Sequence, residues 1–462
     1  MPRDTDLPRS APAEQGVASA GVEAFLDAVA AAPDLELHSL MLLRHGHVVA
    51  QGWWAPYGPD QVHLLYSLSK SFTATAAGFA RAEGLLSFDD PVVAHFPELA
   101  DAATHPWTRS LQVRHLAAMA TGHHEDTLER ALRLDPAEPV RGFLSIAPDA
   151  EPGSVFAYNN GATYTLGALV QRVSGQSLTA YLQPRLFDPL GIRPPYWRED
   201  PPGREIGFSG LHLTTEDVAR FGQLLLDDGV RDGVPVLPPG WGAEASALHT
   251  PNPDWQQGYG YQLWRSRHGY RGDGAYGQFC LVLPEQDVVL VTTAQTENMQ
   301  GLLDAVWAHL LPAIGTTTPG QDDALADRLH RLALPADGNR LSGSVLPEAV
   351  AAVSVSAVDP DPEGGWVLHV SDGEHQLEVL CGDGAWHRTT CTAPGGRELV
   401  VAASGTLSDG QLVAQLAFVQ TPHRLVLRTD PRTLTGSARW LTVPLHAPTF
   451  DELAVRAGSS GT

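Results

Sequence analysis

Apolar residues at helical spacing, Val22, Phe25, Leu26 and Val29, predict a helix over 21–33, and two apolar runs within 36–54 around His45-Gly46-His47 predict a β-hairpin. Over 72–84 the helical period returns, with Phe72, Ala76 and Phe79 on one face, Gly84 as the stop and Ser67 at the helix start. Helical patterns recur at 111–120, 161–174, 177–187 and 215–228, mostly closed by Gly or Pro, and strand patterns return at 259–270 and 277–294. The amphipathic stretch 299–311 ends this region.

Beyond it the pattern changes. Gly315-Thr316-Thr317-Thr318-Pro319-Gly320 reads as a linker, followed by one short helix over 322–334 and by short alternating strands between turn residues. The clearest of these are 367–370, 376–380, 399–403, 412–419 and 424–428. The expected organisation is a helix-and-sheet domain over 1–314, a linker at 315–320 and an antiparallel, barrel- or sandwich-like β domain over 321–462. The fold class is therefore α+β. No repeat of solenoid period and no low-complexity tract interrupts it.

Composition narrows the function. A chain of 462 residues, 43% hydrophobic and 18% charged, has room for two or three cored domains and is neither disordered nor fibrous. Its formal net charge of −23 repels nucleic acid and anionic membrane surfaces, so neither is expected as a partner. The first twenty residues lack the apolar run of a signal peptide, and no later stretch reaches membrane-spanning length, which gives the expectation of a soluble cytoplasmic protein. The three cysteines are an odd number, which argues against a disulfide framework, although Cys381 and Cys391 are spaced to meet across a hairpin. Without CxxC or zinc-finger spacing, neither a metal nor any other cofactor is implied.

One count carries more than the rest. Of the 30 basic residues, 29 are Arg and one is Lys70. Guanidinium stays charged, so a chain that writes Arg at every other basic position points to Lys70 as the place where a proton must leave. Ser67-Leu68-Ser69-Lys70 is an S-x-x-K motif at a helix start, and residues three apart share one face, which places the amine within reach of the Ser67 hydroxyl. A lone S-x-x-K is usually a surface Ser and Lys; the singular lysine and the apolar helix behind it reverse that reading.

At this point the chain resembles a known family, the serine β-lactamases and penicillin-binding proteins. The likeness is to the class C branch, with its esterases, D-aminopeptidases and 6-aminohexanoate-dimer hydrolases. The segment HLLYSLSKSFTATAAGFARAEGLLSFDDPV is similar to the family's nucleophile helix, VRHLAAMATG to the segment after it, and Tyr158-Asn159-Asn160 to its Y-x-N motif. LTTEDVARFGQLLLDDG and GDGAYGQFCLVLPEQDVVLV resemble its later landmarks, so the likeness runs from residue 12 to about residue 312 in family order. It implies the β-lactamase/transpeptidase fold, an antiparallel sheet flanked by helices with an all-helical region. It also implies Ser67 as nucleophile, Tyr158 as general base and Asn160 as the residue that positions substrate and Lys70. A phenol with an ordinary pKa near 10 needs the neighbouring ammonium to favour its phenolate.

The family's third motif, K-T-G or H-x-G, is absent. Gly272-Asp273-Gly274 stands in its place, and the backbone N–H groups of Ala275 and Ser67 would then form the oxyanion hole. Without a cation to hold a β-lactam carboxylate, small esters or amides are the expected substrates. Asp273, Gly274, Tyr276, Gln278 and Trp264 are candidates to touch them, and the G-x-Y-G-Q run resembles the 6-aminohexanoate-dimer hydrolase branch. Trp255, Tyr259, Trp264 and Tyr276 read as core packing at least as readily as an acyl pocket. His123-His124-Glu125-Asp126 has metal-ligand chemistry, but adjacent loop histidines are more often solvated. The resulting expectation is an acyl-enzyme serine hydrolase acting on a small molecule. The alternatives are a β-lactamase, a D-aminopeptidase or an acyltransferase of the same fold, and a noncatalytic penicillin-recognising sensor. The sequence leaves oligomeric state open.

Overall fold

The structure, a computed structural model, describes residues 6–252, 257–336, 350–362, 364–393, 396–446 and 448–456. Six strands form one sheet: β1 (Leu37–Arg44), β2 (His47–Trp53), β3 (Trp264–Arg265), β4 (Tyr270–Gly274), β5 (Gln278–Leu283) and β6 (Val288–Ala294), in the order β2-β1-β6-β5-β4-β3. The stretch 277–294 makes two of these strands because Pro284, which has no N–H to donate, opens the turn between them. Most of 259–270 is irregular instead of extended. Gly258 (φ 78), Gln262 (φ 56) and Gly269 (φ 67) turn that backbone out of the β region.

The helices that matter here are α1 (Ser19–Ala31), α2 (Ser69–Ala82), α3 (Asn160–Ser174), α4 (Thr215–Leu226) and α5 (Asp322–His330). Each lies where the apolar spacing predicts one. The pattern at 111–120 yields only Val113–Ala117, because Met119 takes a left-handed φ of 55° that no helix can continue through.

Contacts divide the chain into two compact units that alternate along the sequence. The first comprises Met1–Gln15, Met41–Val49 and Leu65–Thr292; the second comprises Gly16–Leu40, Ala50–Leu64 and Thr293–Thr462. Within the second, a nine-stranded sheet is built on β7 (Ser354–Pro360), β8 (Trp366–Ser371), β9 (Gln376–Asp383), β10 (His387–Ala393), β11 (Arg397–Ser408), β12 (Gln411–Phe418), β13 (Arg424–Thr429), β14 (Gly436–Trp440) and β15 (Val455–Arg456). One pairing departs from the antiparallel expectation: Cys381–Asp383 of β9 runs parallel to Ala403–Gly405 of β11. β11 and β12 read as near-continuous apolar runs because both of their faces are covered. Val401, Leu416 and Phe418 point into one cluster, and Val400, Ala402 and Ala417 join Tyr57 and Leu334 in another. Cys381 and Cys391, placed on β9 and β10, are free thiols, so the hairpin disulfide does not form. No helix among the described residues is long and apolar enough to cross a membrane.

Candidate active site

Ser67 lies in a single 3-10 turn, Tyr66–Leu68, that runs directly into α2. Tyr66 has φ 48°, a left-handed conformation that a bulky residue keeps only when its surroundings impose it. Its ring meets that of Tyr276, itself at φ 68°, edge-on at 5.6 Å. Ser69 Oγ donates to the Tyr66 carbonyl at 2.6 Å and accepts from the Leu211 N–H at 3.1 Å, so the turn is tied from both sides.

Lys70 follows one turn later and is only 1% exposed. Its Nζ donates to Ser67 Oγ at 2.9 Å and to the Phe208 carbonyl at 2.8 Å. Desolvation pulls the ammonium down to about 7, while the carboxylates of Asp126 and Asp273 keep it from falling further. Tyr158 shares a hydrogen bond with Ser67, but desolvation raises its phenol, as do Asp273 and Asp126, and together they outweigh that bond. The expected phenolate is therefore not the resting form. The cation lies over the ring face, with Nζ 4.8 Å from the Tyr158 centroid, and the group poised to be proton-free near neutrality is Lys70.

Asn160 also departs from expectation: its amide reaches a carboxylate, not Lys70. Nδ2 donates to Asp126 Oδ2 at 2.6 Å and the Asn160 backbone N–H to Asp126 Oδ1 at 2.9 Å. The second acceptor on Lys70 Nζ is a main-chain oxygen, that of Phe208. Asn159 caps α3, its Oδ1 accepting from Ala162 N at 3.3 Å and from Thr127 N and Oγ1 at 3.1 and 2.8 Å. The Tyr158-Asn159-Asn160 run is thus a helix entry held by residues 126 and 127.

Strand β4 brings up the other wall. A Cβ at Gly272 would collide with the Leu68 side chain, and one at Gly274 with the Leu65 carbonyl. Glycine at both positions is what lets the strand press against the turn that carries Ser67. Gln278 is fully buried and donates to the Ala275 carbonyl at 3.0 Å, fixing the tight turn that presents the Ala275 N–H. The strand carries a cation one position before Gly272-Asp273-Gly274, at Arg271. Arg271 and Asp273 share a face by the period of two, and Arg271 Nε donates to Asp273 Oδ2 at 2.7 Å. Arg271 also holds Ser266 Oγ at 2.6 Å and Gln257 Oε1 at 2.9 Å, and with its side chain 5% exposed it is neutralised in place.

The β-lactamase family profile matches residues 23–311. The chain belongs to the β-lactamase family. Among curated relatives it is similar to the 6-aminohexanoate-dimer hydrolase of Paenarthrobacter ureafaciens, at 28% identity over 305 residues covering 58% of this chain and 76% of the relative. It is also similar to the lovastatin esterase of Penicillium rubens, at 28% over 201 residues, 37% of this chain and 50% of the esterase. Among solved structures, a penicillin-binding protein homologue from Caulobacter crescentus superposes with a TM-score of 0.52 at 20% identity, over 66% of this chain and all of that one (100%), which shows the shared fold. The chain is a hydrolase of this family.

For a β-lactamase-family site, the remaining walls are aromatic. Trp264 is half-buried and stacks on Tyr158 at 5.5 Å and 16°, while Tyr259 stands edge-on to it at 4.9 Å. Phe156, Tyr158 and Trp264 line an open cleft together with Thr250 and Asn252. Of the residues expected to meet substrate, Trp264 lies in this cleft. Gln278 and Tyr276 are instead turned into the protein, one onto the Ala275 carbonyl and the other against Tyr66. Trp255 lies outside the described residues. His123 is buried between Thr121 Oγ1 at 2.9 Å and the Ile146 carbonyl at 3.2 Å, so the His123–Asp126 run is not assembled as a ligand set. Asp126 and Arg271 are the two charged groups the sequence did not single out for the site. Asp126 could have been found by its spacing to the Y-x-N segment only with the loop geometry in hand.

Proposed function

We propose that this protein is a serine hydrolase that forms an acyl-enzyme on a small ester or amide. The observation that carries the reading is the Lys70 amine, buried, 2.9 Å from Ser67 Oγ and brought to about 7 by desolvation. A neutral amine at that distance takes the hydroxyl proton as Oγ bonds to the substrate carbonyl carbon. The carbonyl oxygen gains the negative charge and is held by the N–H groups of Ser67 and Ala275. As the tetrahedral intermediate collapses, the carbon–heteroatom bond breaks and the leaving group takes a proton through the Tyr158 hydroxyl, which is replenished from Lys70. Water, deprotonated by the same amine, then hydrolyses the acyl-serine.

Two features bear on substrate. Asp126 and Asp273 give the site a negative field, and Arg271, the cation of β4, is already paired, so a carboxylate-bearing β-lactam finds no charge partner there. The aromatic cleft suits an apolar acyl chain. Relatives named as a 6-aminohexanoate-dimer hydrolase and a lovastatin esterase support an ester or amide of small size. The test is kcat/KM against pH on a p-nitrophenyl ester, with intact mass after a serine-directed acylating label. The rate rises through an apparent pKa near 7, in keeping with the lowered Lys70 value, and the label adds once, at Ser67. Lys70→Arg abolishes turnover because guanidinium keeps its proton. A folded Lys70→Arg enzyme of wild-type rate sinks the assignment.

A further inference from the structure

Asp126 stands outside the residues that the acyl-transfer reading uses, yet it holds their frame. Its Oδ1 accepts from Asn160 N at 2.9 Å, Leu128 N at 3.0 Å and Gly161 N at 3.4 Å, and its Oδ2 from Asn160 Nδ2 at 2.6 Å. The Asn160 and Gly161 donors are the first free backbone N–H groups of α3, where the helix dipole favours an anion. The adjacent Thr127 donates twice to Asn159 Oδ1, at 3.1 Å from its N–H and 2.8 Å from its hydroxyl. A Cβ at Gly161 would strike Thr127 Oγ1, so the close seating of the helix start against this loop is built in. Tyr158, immediately before the two clamped asparagines, has its ring under Lys70 and its hydroxyl on Ser67.

We propose that Asp126 is a positioning residue of the reaction: by accepting both N–H groups of Asn160 it sets the place of Tyr158 against Ser67 and Lys70. This rests on the acyl-enzyme reading above. The groups that face Lys70 are Ser67 on its own helical turn, Tyr158 at the α3 entry, the Phe208 carbonyl, and the charges of Asp126 and of Asp273, the latter shared with Arg271. Asp273 is compensated by its guanidinium, whereas Asp126 has hydrogen-bond donors about it but no cation among its described partners. Of the two carboxylates, Asp126 is therefore the one whose removal changes the field at the amine most directly. Its exposure to solvent keeps that change modest.

Three variants separate position from charge. In Asp126→Asn one carbonyl oxygen can still take the Asn160 N–H, so the main loss is charge. The acid limb of kcat/KM then moves to lower pH by about half a unit, since a lost negative neighbour makes the ammonium give up its proton sooner. In Asp126→Ala the clamp goes as well, and kcat falls by roughly tenfold or more with KM changed little, as expected when a reacting group is displaced. Asp126→Glu returns the acid limb to the wild-type pH. If all three variants keep the wild-type limb and kcat, or if only Tm falls, Asp126 is a helix cap and nothing more. Should wild type itself lack an acid limb near 7 and refuse the Ser67 label, the acyl-enzyme reading fails first, which is a different result.

Discussion

In the proposed mechanism, environment rather than residue type assigns Lys70 and Tyr158 the roles of base and acid. Both are desolvated by the same walls, and desolvation disfavours whichever form is charged: it lowers the amine and raises the phenol. An amine brought to about 7 is partly proton-free at neutral pH beside a neutral phenol, and the phenol is left as a proton donor. This assignment predicts a leaving-group signature for Tyr158→Phe. An anilide or alkyl amide must leave protonated, so its turnover falls by roughly 10²- to 10⁴-fold, the scale of losing a positioned acid. A p-nitrophenyl ester, whose leaving group departs as a stable anion, loses far less, and its acid limb stays where Lys70 puts it. Equal losses on both substrates, or a displaced limb, would return the base to Tyr158.

Helix α2 shows what the sequence could not reveal about the element that carries these residues. Its apolar face, Phe72, Ala76 and Phe79, was plain from the period, but every residue from Ser69 to Ala80 is buried. The apparent polar face is occupied by hydroxyls turned to specific carbonyls: Ser71 Oγ to Gln262 O at 2.9 Å, Thr73 Oγ1 to Gly207 O at 2.8 Å and Thr75 Oγ1 to Ser71 O at 2.8 Å. Thr73 holds the loop whose next residue, Phe208, holds Lys70. Thr73→Val keeps the shape but leaves the Gly207 carbonyl unpaired, which costs about 1–3 kcal/mol of stability. It also lowers kcat at temperatures where the protein remains folded, because the Lys70 acceptor is no longer fixed. Thermal melts and kcat measured together test this, and a variant that loses stability while keeping full kcat would uncouple the loop from the amine. The S-x-x-K motif was legible because three-residue spacing is itself a geometry. The partner of Asn160 was not, because it depends on how a loop some thirty residues earlier folds back, and neither was the pairing of Arg271 with Asp273. The strand expected over 259–270 failed for a third reason, the left-handed positions that its glycines and Gln262 supply.

On the scale of the whole chain the balance of charge is strongly negative, −23, and acidification should by that measure relieve self-repulsion and stabilise the fold. The histidines oppose it. His212, with Nδ1 3.0 Å from the Gly210 carbonyl, is held at about 4 by desolvation, and His423, with Nδ1 3.0 Å from the Thr442 carbonyl, at about 3. His115, also near 4 through desolvation, accepts the Gln112 N–H on Nδ1 at 3.1 Å, a bond that protonation of that nitrogen destroys. All three are neutral in the fold and take up a proton near 6.5 once unfolded, so the unfolded state binds more protons as pH drops. Their contribution is complete above about 6.5 and is lost progressively as pH falls toward 4. Both compact units hold such a residue, His115 and His212 in the first and His423 in the second, so the loss reaches the whole molecule. Relief of repulsion acts between exposed, screened charges, whereas proton uptake by a desolvated ring is local, and the latter prevails. The expected result is a Tm that falls from pH 6.5 to pH 4, keeps falling in high salt where surface repulsion is screened, and falls less steeply in His423→Gln. A Tm that rises on acidification at low salt, and is flat at high salt, would mean that the surface field outweighs the buried rings.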